Sequence, residues 1–146
     1  MPCFSVIKKT ETDAAQISVC SDGIIRVMLK KKVEINADHF RKLFEVYNEL
    51  VEGQRHPFIY YAEDGSSTVT EDGRAYAKKE EYSFPKVCNA VVVTRLSHKL
   101  LANFYFKFNK PSFPFKVFNK MDEAEKWCLE QLELSQQNPQ LHLQGI

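Results

Sequence analysis

The sequence predicts an α/β domain: a mixed β-sheet with an N-terminal hairpin and about four helices packed on it. Three observations carry that reading. Ser21-Asp22-Gly23 joins two runs rich in β-branched residues, the strongest short-range signature of a hairpin. From Asn36 onward, apolar runs of strand length alternate with stretches of helical period, which is the order that builds parallel strands with right-handed crossovers. The run V-C-N-A-V-V-V-T at 87–94 is apolar on both faces, as in a strand sandwiched between helices.

The elements follow in order. Residues 3–9 alternate weakly and suit an edge strand or an ordered arm. Runs 16–20 and 24–31 form the hairpin, with Asp-Gly expected in a type I′ turn because both central positions there want positive φ. In the second run Ile25, Val27 and Leu29 alternate with Ile24, Arg26, Met28 and Lys30. One face is apolar and the other mixed, which predicts a strand covered chiefly on one side. Residues 36–52 form the clearest helix: Asn36 can cap it, Phe40, Leu43, Phe44, Tyr47, Leu50 and Val51 share one stripe, and Gly53 ends it. P-F-I-Y-Y-A at 57–62 reads as a central strand. Thr70 caps a short helix over 71–79. Ser97 caps a third helix whose core face is Leu100, Leu101, Phe104, Tyr105 and Phe108, stopped by Pro111. Residues 115–118 form another strand. Asn119 is read as the cap of the last helix, with Asp122 in its first turn and Met121, Ala124, Trp127, Cys128 and Leu132 on its buried stripe. This makes one domain over 1–134 and a Gln-rich tail over 135–146, expected to be flexible. The pattern leaves open whether helices cover one face of the sheet or both.

Composition narrows the function classes. With 146 residues, 44% hydrophobic and 27% charged, the chain can bury a real core. A formal net charge of +1 gives no global field toward nucleic acid or anionic lipid. Cys3, Cys20, Cys88 and Cys128 form no C-x-x-C pair, and read as small buried hydrophobes in a reducing compartment. No stretch approaches the roughly 20 apolar residues of a membrane span, and Lys8-Lys9 interrupts the N-terminus too soon for a signal peptide. The expectation is a cytoplasmic protein. The glycines build no dinucleotide or phosphate loop, the histidines show no metal-ligand spacing, and there is no G-x-S-x-G elbow. Hence no cofactor, no metal and no catalytic residue is expected.

Several motifs are similar to those of a known group. These are G-I-I-R-V in the second hairpin strand, N-A-V-V-V at 89–93, A-N-F-Y-F-K-F-N-K-P at 102–111, K-V-F at 116–118 and E-A-E-K-W at 123–127. Through them the chain resembles, over most of residues 16–133, a group of uncharacterised bacterial proteins with the STAS-like fold of anti-sigma-factor antagonists. That resemblance implies a non-enzymatic regulatory or partner-binding module. It also implies a serine switch where a central strand meets a helix in a D-S-[ST]-G pattern. Here that place is Asp64-Gly65-Ser66-Ser67-Thr68, with the glycine ahead of the serines. Ser66, Ser67 and Thr68 are therefore candidate phosphorylation sites, although Gly, Ser and Thr also compose any exposed loop. The alternative function is a small-molecule, lipid or anion-binding protein with a pocket between helices and sheet.

Two further expectations come from the residues themselves. Asn103 and Lys107 lie four apart on one helix face, with Asn109 and Lys110 at its end. This amide and ammonium group could bind an anion or an acidic side chain of a partner. The structural reading is that lysines suit a helix carboxyl end, Asn109 terminates the helix and Asn103 braces a loop. The 11 Phe and 6 Tyr also exceed what such a domain hides easily, which points to an exposed patch and a symmetric homodimer. Against that, Phe113 and Phe115 can simply clamp the loop at Pro114.

Overall fold

A computed structural model describes residues 4–62, 68–81, 86–93 and 113–137. It shows the mixed α/β architecture. The strands are β1 (Val6–Glu11), β2 (Ala15–Cys20), β3 (Ile25–Leu29), β4 (Glu34–Ile35), β5 (Pro57–Ala62), β6 (Thr68–Val69), β7 (Cys88–Val92) and β8 (Phe115–Phe118). The helices are α1 (Ala37–Val51), α2 (Glu71–Glu81) and α3 (Met121–Gln137). Six strands make one sheet in the order β1-β2-β3-β5-β7-β8, and β4 pairs with β6 apart from it. β2 runs antiparallel to both of its neighbours, β1 and β3, whereas β3, β5, β7 and β8 run parallel. Three of the four expected helices are thus present among the described residues. The one expected from Ser97 to Pro111, with Leu101 and Phe104, lies outside them.

The expected one-sided strand is covered on both sides. Ile25 and Val27 on β3, with Ile17 on β2 and Phe58 on β5, pack against Leu43, Phe44, Tyr47 and Val51 of α1. Tyr76 of α2 joins that cluster. On the opposite face Ile24, Ile59, Val87, Cys88 and Ala90 pack against Ala124 and Cys128 of α3. The mixed face of β3 therefore lies toward α3, with Arg26 buried there at 7% exposure. Trp127, expected in the core, is only half-buried and rests on Phe118 with ring centroids 5.6 Å apart.

Local structure follows the residues, with a few shifts. The Asn36 side chain accepts from the His39 amide at 3.0 Å, and the His39 ring accepts from the Asn36 amide at 3.1 Å. This satisfies two of the amides that begin α1. Glu52, at φ 49°, takes the left-handed position at the helix end, followed by Gly53 at φ 78°. The hairpin turn is not type I′. Only Gly23 has positive φ, at 88°, while the Gly23 amide donates to the Cys20 carbonyl at 3.0 Å. That is a three-residue loop closing on a left-handed glycine. Asp22 stays out of left-handed space and accepts the Ile24 amide through its carboxylate at 3.1 Å. The last helix opens at Met121, two residues beyond Asn119, and Asp122 accepts the Glu123 amide at 3.0 Å. It runs through Gln137, past the boundary expected at 134, with the Ser135 hydroxyl donating to the Leu132 carbonyl at 2.7 Å.

The starts of α1 and α2 are fastened together by the β4–β6 pair, in which Glu34 faces Thr68 and Ile35 faces Val69. Gly73 permits the approach. A Cβ built on it would sit 2.5 Å from the Ile35 carbonyl oxygen, closer than any real contact. Glycine in a helix ordinarily costs about 1 kcal/mol relative to alanine. At Gly73 that sign reverses: Gly73→Ala lowers the urea midpoint, losing more than about 1 kcal/mol, and an unchanged or raised midpoint refutes this account of the junction.

Candidate functional site

Three polar constellations are built into the described residues. The first is on the α3 face. Arg26 points from β3 toward α3, where Nη1 and Nη2 donate to the Asp22 carboxylate at 3.1 and 2.9 Å. Nε and Nη2 donate to Glu125 Oε2 at 3.2 and 2.6 Å. The Phe4 ring stacks 3.7 Å from the guanidinium carbon. Burial alone would lower the Arg26 pKa; the hydrogen bonds it donates to Asp22 and then Glu125 outweigh this and hold the group charged. Burial also pushes the Cys20 thiol and the Tyr61 phenol upward beside it. The arrangement is a fork clamped by two carboxylates, which fixes the hairpin tip against the helix.

The second is on the α1 face. Lys86 is 2% exposed. Its Nζ donates to the Tyr60 hydroxyl at 2.9 Å and to Asn89 Oδ1 at 3.2 Å. Among the described residues five aromatic rings surround the ammonium, with centroids at 4.4 Å for Phe58, 4.9 Å for Tyr60, 5.6 Å for Tyr47, 5.7 Å for Phe113 and 5.8 Å for Phe44. Ring faces attract a cation at these distances. Burial drives the Tyr47 phenol far above its ordinary pKa, offset in part by a hydrogen bond with Tyr60. The ammonium is enclosed by its own chain, so it braces the α1 core.

The third joins the two helix starts. The Thr70 hydroxyl accepts the Gly73 amide at 3.1 Å, and the Asp72 carboxylate accepts the Ala37 amide at 3.3 Å. Thr70 Oγ1 also donates to Asp72 Oδ1. One carboxylate therefore sits at the positive ends of both helices, where an anion is favoured. The hydrogen bond from Thr70, then that from the Ala37 amide, lowers the Asp72 pKa.

The residues singled out from sequence fall differently. Thr68 is exposed on β6, two positions before the cap at Thr70. Ser66 and Ser67 lie outside the described residues, as do Asn103, Lys107, Asn109 and Lys110. Among the described residues no group of three His, Cys, Asp or Glu side chains could hold a metal ion, and no helix is long and apolar enough to cross a membrane. Sequence reasoning passed over Lys86 and Asn89. The signal was present: an asparagine inside an apolar strand must find a hydrogen-bond partner, and a lysine stands three residues before it.

Comparison with known proteins adds a family without an activity. A domain of unknown function, DUF7793, matches residues 18–132. Among solved structures, a protein with unknown function from Arthrobacter sp. FB24 aligns at 23% identity over 82% of this chain and 95% of its own, with a TM-score of 0.27. No curated protein matches.

Two measurements test these constellations. Replacing Arg26 by methionine leaves Asp22 and Glu125 facing each other and costs about 3 kcal/mol; adding Asp22→Asn and Glu125→Gln recovers much of that loss in urea denaturation. A triple variant as unstable as the single one refutes the clamp. The depressed pKa of Asp72 adds stability that is present above its ordinary value of 3.8 and is lost as pH falls through the lower folded value. Asp72→Asn therefore lowers stability at neutral pH, and its gap from the parent closes in acid. A gap independent of pH overturns the assignment.

Proposed function

The chain belongs to the DUF7793 family, a domain of unknown function, and from that premise we propose a non-enzymatic, STAS-like module that binds a partner protein in the cytoplasm. The STAS-like part rests on the motif resemblance. The binding part rests on one observation: among the described residues β1 is the edge strand of the sheet, with Val6 at 52% and Ile7 at 68% exposure. A strand edge offers unpaired amides and carbonyls to an added strand. Buried Arg26 and Lys86 meanwhile spend their hydrogen bonds inside the fold. A reducing setting suits the free thiols of Cys20, Cys88 and Cys128.

The reading places another protein at this edge, because the registers nearest full overlap disfavour a second copy. Full antiparallel overlap of two β1 strands places Lys8 opposite Lys9 of the other copy, twice. Sliding by one residue sets Lys8 on Lys8 or Lys9 on Lys9, and like charges directly opposed are destabilising. The reading includes a symmetric homodimer, whose contact falls instead to the outer side of α3, where Leu129 and Leu134 are 42% and 47% exposed.

The test is capture from the native host by the tagged full chain, repeated with Ile7→Glu and with Lys8→Glu/Lys9→Glu. A protein held by the parent and lost by both variants supports the reading; one held equally by all three overturns the edge, and none at all overturns the module. Light scattering at micromolar concentration is expected to report a dimer that Leu134→Glu dissociates, and a monomeric parent removes the dimer.

A further inference from the structure

Cys88 on β7 and Cys128 on α3 stand with their sulfurs 3.8 Å apart. Both are fully buried and both are free. The Cys88 thiol donates to Cys128 Sγ, and the Cys128 thiol donates toward the Phe58 carbonyl at 4.0 Å. Their surroundings are Ile24, Ile59, Val87, Ala90 and Ala124, none of which can take a proton. Cys20, the other described cysteine, packs beside Arg26 on a different part of the sheet. Thus the fold brings together two thiols that are 40 positions apart in sequence.

We propose that Cys88 and Cys128 are an oxidative modification site, at which a peroxide or a small disulfide joins β7 to α3 through an intramolecular disulfide. The two thiols lose their hydrogens and together two electrons, and one S–S bond forms. With hydrogen peroxide the O–O bond breaks and two waters leave; with a small disulfide two small thiols leave. Bond formation requires the sulfurs to close from 3.8 Å to about 2.05 Å, a shift within reach of side-chain rotation and a small settling of the helix.

The same burial sets when this happens. Only the thiolate reacts, and the hydrogen bond with Cys128, followed by burial, holds the Cys88 thiol far above its ordinary pKa. The docked state is therefore protected, and reaction follows transient lifting of α3, which exposes both thiols together. Once formed, the bond fastens α3 over β5 and β7. The pair records whether α3 has opened under oxidising conditions. This inference is independent of the partner reading, since it uses only the interior of the α3 face.

The experiment is peroxide treatment of the full-length protein at mildly alkaline pH, with and without sub-denaturing urea, followed by acid quench, intact mass and peptide mapping. The expected product is lighter by two hydrogens and carries a Cys88–Cys128 linked peptide. It forms at least tenfold faster in sub-denaturing urea, has a Tm several degrees higher, and reverts with dithiothreitol. Cys20→Ser retains the linkage and Cys128→Ala abolishes it. Because Cys128→Ala could fail to fold, the peptide map of the parent protein decides the matter. Linkage through Cys3 or Cys20 instead, oxidation of Cys88 and Cys128 to separate oxyacids, or a linked form of lower Tm overturns the proposal.

Discussion

A sheet covered on both faces leaves no water for a charge near its centre, and Arg26 is where this fold meets that constraint. Its guanidinium must be satisfied by the chain itself, because desolvating an unpaired charge would cost more than the domain's whole margin of stability. Asp22 and Glu125 supply the acceptors from opposite sides, one from the hairpin loop and one from α3. The same Asp22 carboxylate holds the Ile24 amide, so the turn cannot take the geometry that Asp-Gly alone would favour. Gly23 then lies beneath α3, with Leu132 Cδ2 3.0 Å from where a Cβ would stand. Turn shape, strand burial and helix docking meet at one ion cluster.

The α1 face solves the same problem with aromatic residues. Phe44, Tyr47, Phe58, Tyr60 and Phe113 line the space around Lys86, and edge contacts such as the 5.5 Å Phe44–Tyr47 pair connect them. Among the described residues these aromatics are therefore engaged in the interior. Phe113 is 8% exposed and helps enclose the lysine. The large hydrophobic residues left in solvent among the described residues are aliphatic: Val6, Ile7, Leu129 and Leu134. This moves the case for an interface from the aromatics to the strand edge and the outside of α3.

What the sequence could convey depended on whether a feature is local. The hairpin, the Asn36 cap, the central strands and the stripe of α1 are all set by neighbours within a few positions, and they were readable. The lysine cage and the Arg26 clamp join residues such as Arg26 and Glu125 that lie 99 apart, and periodicity carries no information at that range. Arg26 misled for a definite reason. Alternation identifies which face is polar but does not reveal that a later helix covers it. The type I′ expectation failed for a local reason: the Asp22 carboxylate is taken by the Ile24 amide and by Arg26 four positions on. Thr68 reads as loop chemistry, yet it pairs with Glu34 in a two-residue strand that only the docking of α2 on α1 creates.

The polar side chains of the three described clusters are spent on the fold itself. Catalysis requires side chains whose polar atoms converge where a substrate can reach them. Here Arg26, Lys86 and Asn89 are buried and bonded to groups of their own chain, and the Asp72 carboxylate is engaged with two helix starts. Recognition through a strand edge needs no such convergence. Its donors and acceptors are the backbone groups that every residue has, and side chains only bias the choice of partner. At the proposed β1 edge, Lys8 and Lys9 would bias the choice toward a strand carrying carboxylates. On the proposed reading the distinctive side chains are left to the core, which is where the most distinctive polar clusters among the described residues of this chain are found.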